Sequence, residues 1–244
     1  NYYFFHFKMT KSLFKTESLI FSKNKASKNW NNHNFLYKKV STVLLKKVLE
    51  VNSHFKNILI ITSDIDETVD ALVGLKYNKI VLVSQYKQLI LKFQINKPNI
   101  IKVHCSFDNI PLKNESFDLI VSNLCLHNSN NQFKFLEKKY QLLNKDGLMF
   151  CNFFGENTLQ ELKKSFILAD ENFFKGSLMR IPPLNNILNV SNAISSIGFR
   201  EIVSETLVYE VFYKKVNNLL KDIRGMGENI QLNTNIKQKI NKNY

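Results

Sequence analysis

His127 follows a strand candidate at residues 117–122. An imidazole there, with a pKa near neutrality, can accept a proton or hydrogen-bond a substrate. A packing or capping histidine is the other reading, and both stay open. Asp64, Asp66 and Glu67 form a second group. Hard cations accept such oxygen donors, but the spacing lacks the following Gly and the distal Glu of a calcium loop. A solvated turn entering a helix N-terminus, where carboxylates suit the dipole, is favoured, so no metal is expected. Cys105, Cys125 and Cys151 are sparse and odd in number, with no CxxC pair. That pattern points to a reducing compartment and away from a disulfide framework or structural zinc. Arg224-Gly225-Met226-Gly227-Glu228 is glycine-rich but follows a helical pattern, so it reads as a helix stop and not a phosphate loop.

These residues need elements to position them. Residues 35–51 carry Leu36, Val40, Val43, Leu44, Leu45 and Val48 at helical spacing. Residues 58–61 are a continuous β-branched run, as in a strand buried on both faces of a parallel sheet. Helical spacing resumes at 68–75, a second such strand lies at 80–83 and a short helix at 88–93. Further strands are expected at 100–103, 117–122 and 148–154. Residues 133–143 form an amphipathic helix, and 144–147 a helix-ending turn with Gly147 in a C-cap-like place. A helix is expected at 158–169, capped by Asn157. A loop with Pro182-Pro183 follows, then a helix at 190–197 ended by Gly198. Residues 201–213 alternate like a strand pair, and 216–223 form a last helix. Strands alternating with helices predict an α/β fold with a doubly wound, mostly parallel sheet.

At 244 residues the chain can bury a sizeable core. Its 44% hydrophobic and 22% charged residues are those of a globular protein. No apolar run reaches membrane-spanning length, so no membrane span is expected. The net charge of +14 rests on 31 lysines and only three arginines. Base readers and phosphate clamps favour the bidentate arginine fork. The charge is therefore read as a solvated lysine surface, with no DNA or RNA partner expected. Residues 1–30 read as a basic, aromatic lead-in, disordered or a mitochondrial presequence. Asn1 stands where Met would begin a chain, and Met9 is an alternative start. Residues 31–229 form the main domain. Residues 230–244 are a polar tail.

Glu115-Ser116-Phe117-Asp118-Leu119-Ile120-Val121-Ser122-Asn123-Leu124-Cys125-Leu126-His127 resembles the fourth-strand region of S-adenosylmethionine (SAM)-dependent methyltransferases. Ile110-Pro111-Leu112 resembles their "LPF" turn, and Leu142-Leu143-Asn144-Lys145-Asp146-Gly147 their turn before the fifth strand. Residues 155–162 and 220–229 resemble one branch. It holds the mitochondrial complex I assembly factor that hydroxylates an arginine, and its α-proteobacterial relatives. Ile20-Phe21, Lys28-Asn29-Trp30 and Phe35-Leu36-Tyr37 are similar to that branch's lead-in. The family's usual extension after Asn229 is not matched.

The resemblance implies a Rossmann-like class I methyltransferase fold with SAM across the carboxyl ends of the strands. It assigns cofactor contacts to Thr62, Ser63, Asp64, Asp66, Ser84, Gln85, Ser106, Phe107, Asp108, Asn123 and Leu124. Substrate contacts fall to Asn152, Gly155 and Thr158. His127 sits at the mouth between the two. The family's turn reads D-x-G-x-G-x-G, whereas Ile60, Thr62, Asp64 and Asp66 stand at its acidic and glycine places. Ser84-Gln85 replaces the ribose-binding acid, and Ser106 replaces an Asp near the adenine amine. Together these substitutions imply weak SAM binding, a changed ligand or none. The expected function is methyl transfer to an unknown acceptor, or arginine hydroxylation on a respiratory complex I subunit. The alternative is a degenerate assembly or binding factor. The expected place is the mitochondrial matrix, or the cytoplasm of a bacterium.

Overall fold

The computed structural model describes residues 12–51, 54–64, 68–69, 72, 74–93, 97–174, 176–229 and 232. Five strands form one sheet: β1 (His54–Thr62), β2 (Lys76–Ser84), β3 (Ile100–His104), β4 (Phe117–Asn123) and β5 (Leu143–Asn152). Their order is β3-β2-β1-β4-β5 and every pairing is parallel. The sheet is central because its strands are apolar on both faces: Ile58, Leu59, Ile60 and Ile61 of β1 are each fully buried. Chain order reverses between β1 and β4, which opens the crevice where this class of sheet receives ligands.

Helices flank the sheet. α1 (Thr16–Ala26) leads through a 3₁₀ segment (Ser27–Asn32) into α2 (Phe35–Val51). α2 buries Tyr37, Ser41, Leu44 and Val48, spaced one turn apart, and leaves its lysines outward. α3 (Lys87–Lys92), α4 (Gln132–Leu142), α5 (Gln160–Phe174), α6 (Ile187–Ile197) and α7 (Val216–Gly225) follow. Thr68, Val69 and Leu72, between β1 and β2, are also helical. α4 and α6 begin at Asn131 and Asn186, whose side-chain oxygens accept first-turn N–H groups. α6 ends at Gly198, left-handed at φ 118°.

Three local expectations are corrected. Residues 144–147 do not form a turn before the strand. They belong to β5, which starts at Leu143 and shifts register between Phe117 and Leu119. The left-handed residue there is Asp146, at φ 64°. Gly147 is demanded by packing, since a Cβ would meet the Phe117 carbonyl at 3.1 Å. Asn157 caps nothing: residues 156–159 are a turn, in which the Thr158 N–H donates to the Gly155 carbonyl, and α5 starts at Gln160. Residues 201–213 make no strand, because alternation alone supplies no ladder partner. Val203 and Phe212 are 94% and 90% exposed. The segment is held to α2 by Lys47–Glu205 and Lys39–Tyr209 contacts. The lead-in is helical from Thr16, and Leu19 and Trp30 join the core beneath it. No described helix is long and apolar enough to cross a membrane. Among the described residues no three His, Cys, Asp or Glu gather as a metal site.

Candidate functional site

The ends of β1 and β4 lie side by side, with Thr62 paired to Asn123. Asp64 turns inward and is 2% exposed. Its carboxylate accepts the Thr68 N–H at 3.2 Å, the Thr68 hydroxyl at 2.6 Å and Asn123 Nδ2 at 2.9 Å. Asn123 Nδ2 also lies 2.9 Å from Ser41 Oγ and 2.7 Å from Thr68 Oγ1. Burial raises the Asp64 pKa, and its hydrogen bonds from Thr68, Thr62 and Asn123 pull it back. Ser63 Oγ donates to the Leu124 carbonyl at 2.9 Å. Leu124, left-handed at φ 51°, donates its N–H to Asn152 at 3.0 Å. Asn152 Nδ2 reaches Asn123 Oδ1 at 3.3 Å. Thr62, Ser63, Asp64, Asn123 and Leu124 thus come together as a buried knot whose polar groups bond one another. Asp66 lies outside the described residues. As arranged, these side chains do not fit a nucleoside cofactor at this point of the ledge. Their hydrogen-bonding groups are already used, and each residue is at most 2% exposed.

The ends of β2 and β3 form a second cluster. Ser84 Oγ accepts the Tyr86 N–H at 3.3 Å, and Gln85 Nε2 donates to Tyr86 Oη at 3.1 Å. Gln85 Oε1 accepts the Phe107 N–H at 3.5 Å. Phe107 packs edge-on to Tyr86, with centroids 5.6 Å apart. Ser106 is exposed and its Oγ accepts the Asp108 N–H. Asp108 accepts the Ser129 hydroxyl at 2.7 Å. Ser84, Gln85, Ser106, Phe107 and Asp108 are therefore neighbours, but Phe107 is a core residue at 3% exposure.

His127 sits in a short 3₁₀ turn, Leu126–Asn128, directly after β4. Its ring packs on Phe154 at 4.7 Å, and Nε2 faces a Glu228 carboxylate oxygen at 3.4 Å. Glu228 also accepts Lys23 Nζ at 2.5 Å and the Tyr37 hydroxyl. Lys23 Nζ further bonds Tyr37 Oη at 2.6 Å and the Met226 carbonyl at 3.0 Å. Burial alone would raise the Glu228 pKa, but the Lys23 charge, with the His127 ring beside it, outweighs burial and holds the carboxyl well below its usual range. Gly227 makes this approach possible. At φ 68° it is left-handed, and a Cβ would stand 2.9 Å from Lys23 Cα. Gly225 is likewise pressed on the His33 ring. The stretch read as a helix stop is thus a clamp joining α7 to α1.

Gly155 forms a parallel bridge with Asn185, and Thr158 lies on the turn that follows. Asn152 ends β5, where its Nδ2 reaches Asn123 Oδ1, and all three residues are half-buried. Sequence reasoning missed Lys23, Tyr37, Ser41, Thr68 and Glu228. Lys23 is one of 31 lysines and carries no local signal. The Gly-Met-Gly-Glu spacing was the available pointer to Glu228.

Residues 61–151 match the family model described as a methyltransferase domain. The human mitochondrial arginine-hydroxylase NDUFAF5 is 33% identical over 119 residues, 49% of this chain and 34% of that one. A Rickettsia prowazekii protein named as a methyltransferase, RP459, is 32% identical over 139 residues, 55% of this chain and 60% of its own. The match therefore spans about a third of the curated hydroxylases. Two solved structures share the fold. One is a chain of the complex between the Haloferax volcanii Trm112 methyltransferase activator and a methyltransferase (TM-score 0.56, 10% identity, 86% of this chain and 94% of that one). The other is a Methanococcus maripaludis protein named as a SAM-dependent methyltransferase (0.51, 16%, 72% and 84%). Residues 61–151 thus resemble a methyltransferase domain, a stretch of 119 residues is similar to the NDUFAF5 arginine-hydroxylases, and the chain has the Rossmann-like fold seen in solved structures named as SAM-dependent methyltransferases.

Proposed function

We propose that this chain is a methyltransferase-fold assembly factor of the NDUFAF5 kind, which holds a protein substrate during the building of respiratory complex I and does not transfer a methyl group from SAM. The observation that carries this reading is the knot of Asp64, Thr68, Asn123 and Ser41 at the ends of β1 and β4. Methyl transfer needs the acceptor held against the donor, and a strand end filled by mutually bonded side chains supports the reading without it. The fitting partner is a complex I subunit, in the mitochondrial matrix or in the cytoplasm of a bacterial relative.

A second reading keeps an enzyme, transferring methyl to an unknown acceptor or hydroxylating an arginine. The unbonded Nδ1 of buried His127 favours it, since a proton acceptor has been left available. Hydroxylation would draw on an external oxidant. Calorimetry with SAM separates the two. The folded chain is expected to give no binding heat, whereas micromolar binding would overturn the assembly reading in favour of the enzyme. Replacing Thr62 and Asp64 by Gly in the same assay tests whether the side chains alone close the ledge.

A further inference from the structure

Folded proteins leave few buried polar groups without a partner, and each costs about 1–3 kcal/mol. In this structure such groups concentrate beside β4. His127 Nδ1, both atoms of the Asn128 amide and Asn185 Nδ2 are buried with no hydrogen-bond partner. The three residues are 2%, 7% and 7% exposed. Among the described residues one other buried group shares this state, the Ser122 hydroxyl. It faces the Cys151 thiol, whose titration it influences. The remaining atoms belong to neighbouring pieces of chain. His127 and Asn128 are consecutive, the His127 ring packs on Phe154, and the next residue, Gly155, bridges to Asn185. The Asn185 carbonyl is used, by the Glu156 N–H at 3.0 Å, while its side-chain amine is not.

The chemistry of these atoms defines what they can bind. Glu228 faces His127 Nε2, and a carboxylate there fixes the proton on Nε2. Nδ1 then presents a lone pair. With Asn128 Oδ1 it supplies two acceptors, and the Asn128 and Asn185 amines supply donors. None of these atoms carries a formal charge. The nearby charges, Lys23 and Glu228, are spent on each other at 2.5 Å. Phe154 adds an aromatic wall.

We infer that His127, Asn128 and Asn185 form a binding site for a neutral amide, the peptide or carboxamide group of a protein substrate. An amide is planar, offers one acceptor and one or two N–H donors, and matches a mixed uncharged set where a carboxylate or phosphate does not. This inference rests on the proposed protein-substrate reading and names the group recognised.

The probe is N-acetylglycinamide, followed by saturation-transfer NMR on the full chain, with adenosine and acetate as competitors. Asn128→Leu removes both amide atoms at similar volume. Because it also removes two unsatisfied groups, it is expected to keep or raise the melting temperature while weakening the probe about tenfold or more. Asn185→Leu gives the same paired readout from the other side of the site and serves if the first variant misfolds. No probe binding by the wild type overturns the inference. So does equal binding by both variants, or displacement by adenosine in preference to amide. A SAM titration of the same sample keeps the tests apart. SAM binding strikes the assembly reading, whereas silence to both ligands strikes the amide site alone.

Discussion

Glu228→Ala tests the clamp most directly. Lys23 has a fully buried side chain, and Glu228 is its only charged partner at hydrogen-bond distance among the described residues. Removing the carboxylate leaves a buried ammonium bonded to a hydroxyl and a carbonyl. If the charge stays, breaking such a pair costs about 3–5 kcal/mol. That is a large share of the roughly 5–15 kcal/mol that holds a domain together. The assay is urea unfolding at pH 7, with the slope checked for two-state behaviour. Lys23→Met combined with Glu228→Leu should recover most of the loss, since both charges leave together. A loss under about 1 kcal/mol in Glu228→Ala, or no recovery in the double variant, would refute the reasoning. The sign with pH follows. The folded carboxyl titrates well below its ordinary value near 4.5. Its stabilisation is complete above that value and fades as pH falls below it. Acid unfolding of Glu228→Ala should therefore lack this component.

Lys139 offers a test in alkaline solution. Burial lowers its pKa from 10.5 to about 8, against the opposing pull of Asp108. Between pH 8 and 10.5 the unfolded chain holds the proton that the folded chain has lost. Stability should rise with pH there by up to about 3 kcal/mol relative to Lys139→Met. Equal slopes for wild type and variant in urea melts would contradict the assignment. Gly227→Ala should lose at least about 1–2 kcal/mol, because the left-handed backbone is strained for any other residue and the Lys23 main chain blocks the new methyl. An unchanged melting temperature would show that the clamp is not packed as described.

The fold was legible because burial on two faces leaves a plain trace. The runs Ile58-Leu59-Ile60-Ile61 and Ile80-Val81-Leu82-Val83 have no other economical explanation, and α2 spans the same residues in sequence and structure. What the sequence could not show were contacts between distant segments. Lys23 and Glu228 lie 205 positions apart, and each looks ordinary in its own surroundings. Residues 201–213 failed in the opposite sense. Their period of two is real, but a strand exists only when a neighbour supplies its ladder.

The ledge shows how buried polar groups at a strand end commit one another. Thr62 and Asp64 bring oxygens into the buried end of β1, where an unbonded polar atom is costly. Partners come from several elements: Ser41 from α2, Thr68 from beyond β1 and Asn123 from β4, each bonded within the knot. Asn123 counts Asp64 among its acceptors. A glycine at position 64 alone would open room and also strip partners from Asn123 and Thr68. A variant meant to open the ledge therefore has to change the loop and its supporting side chains together.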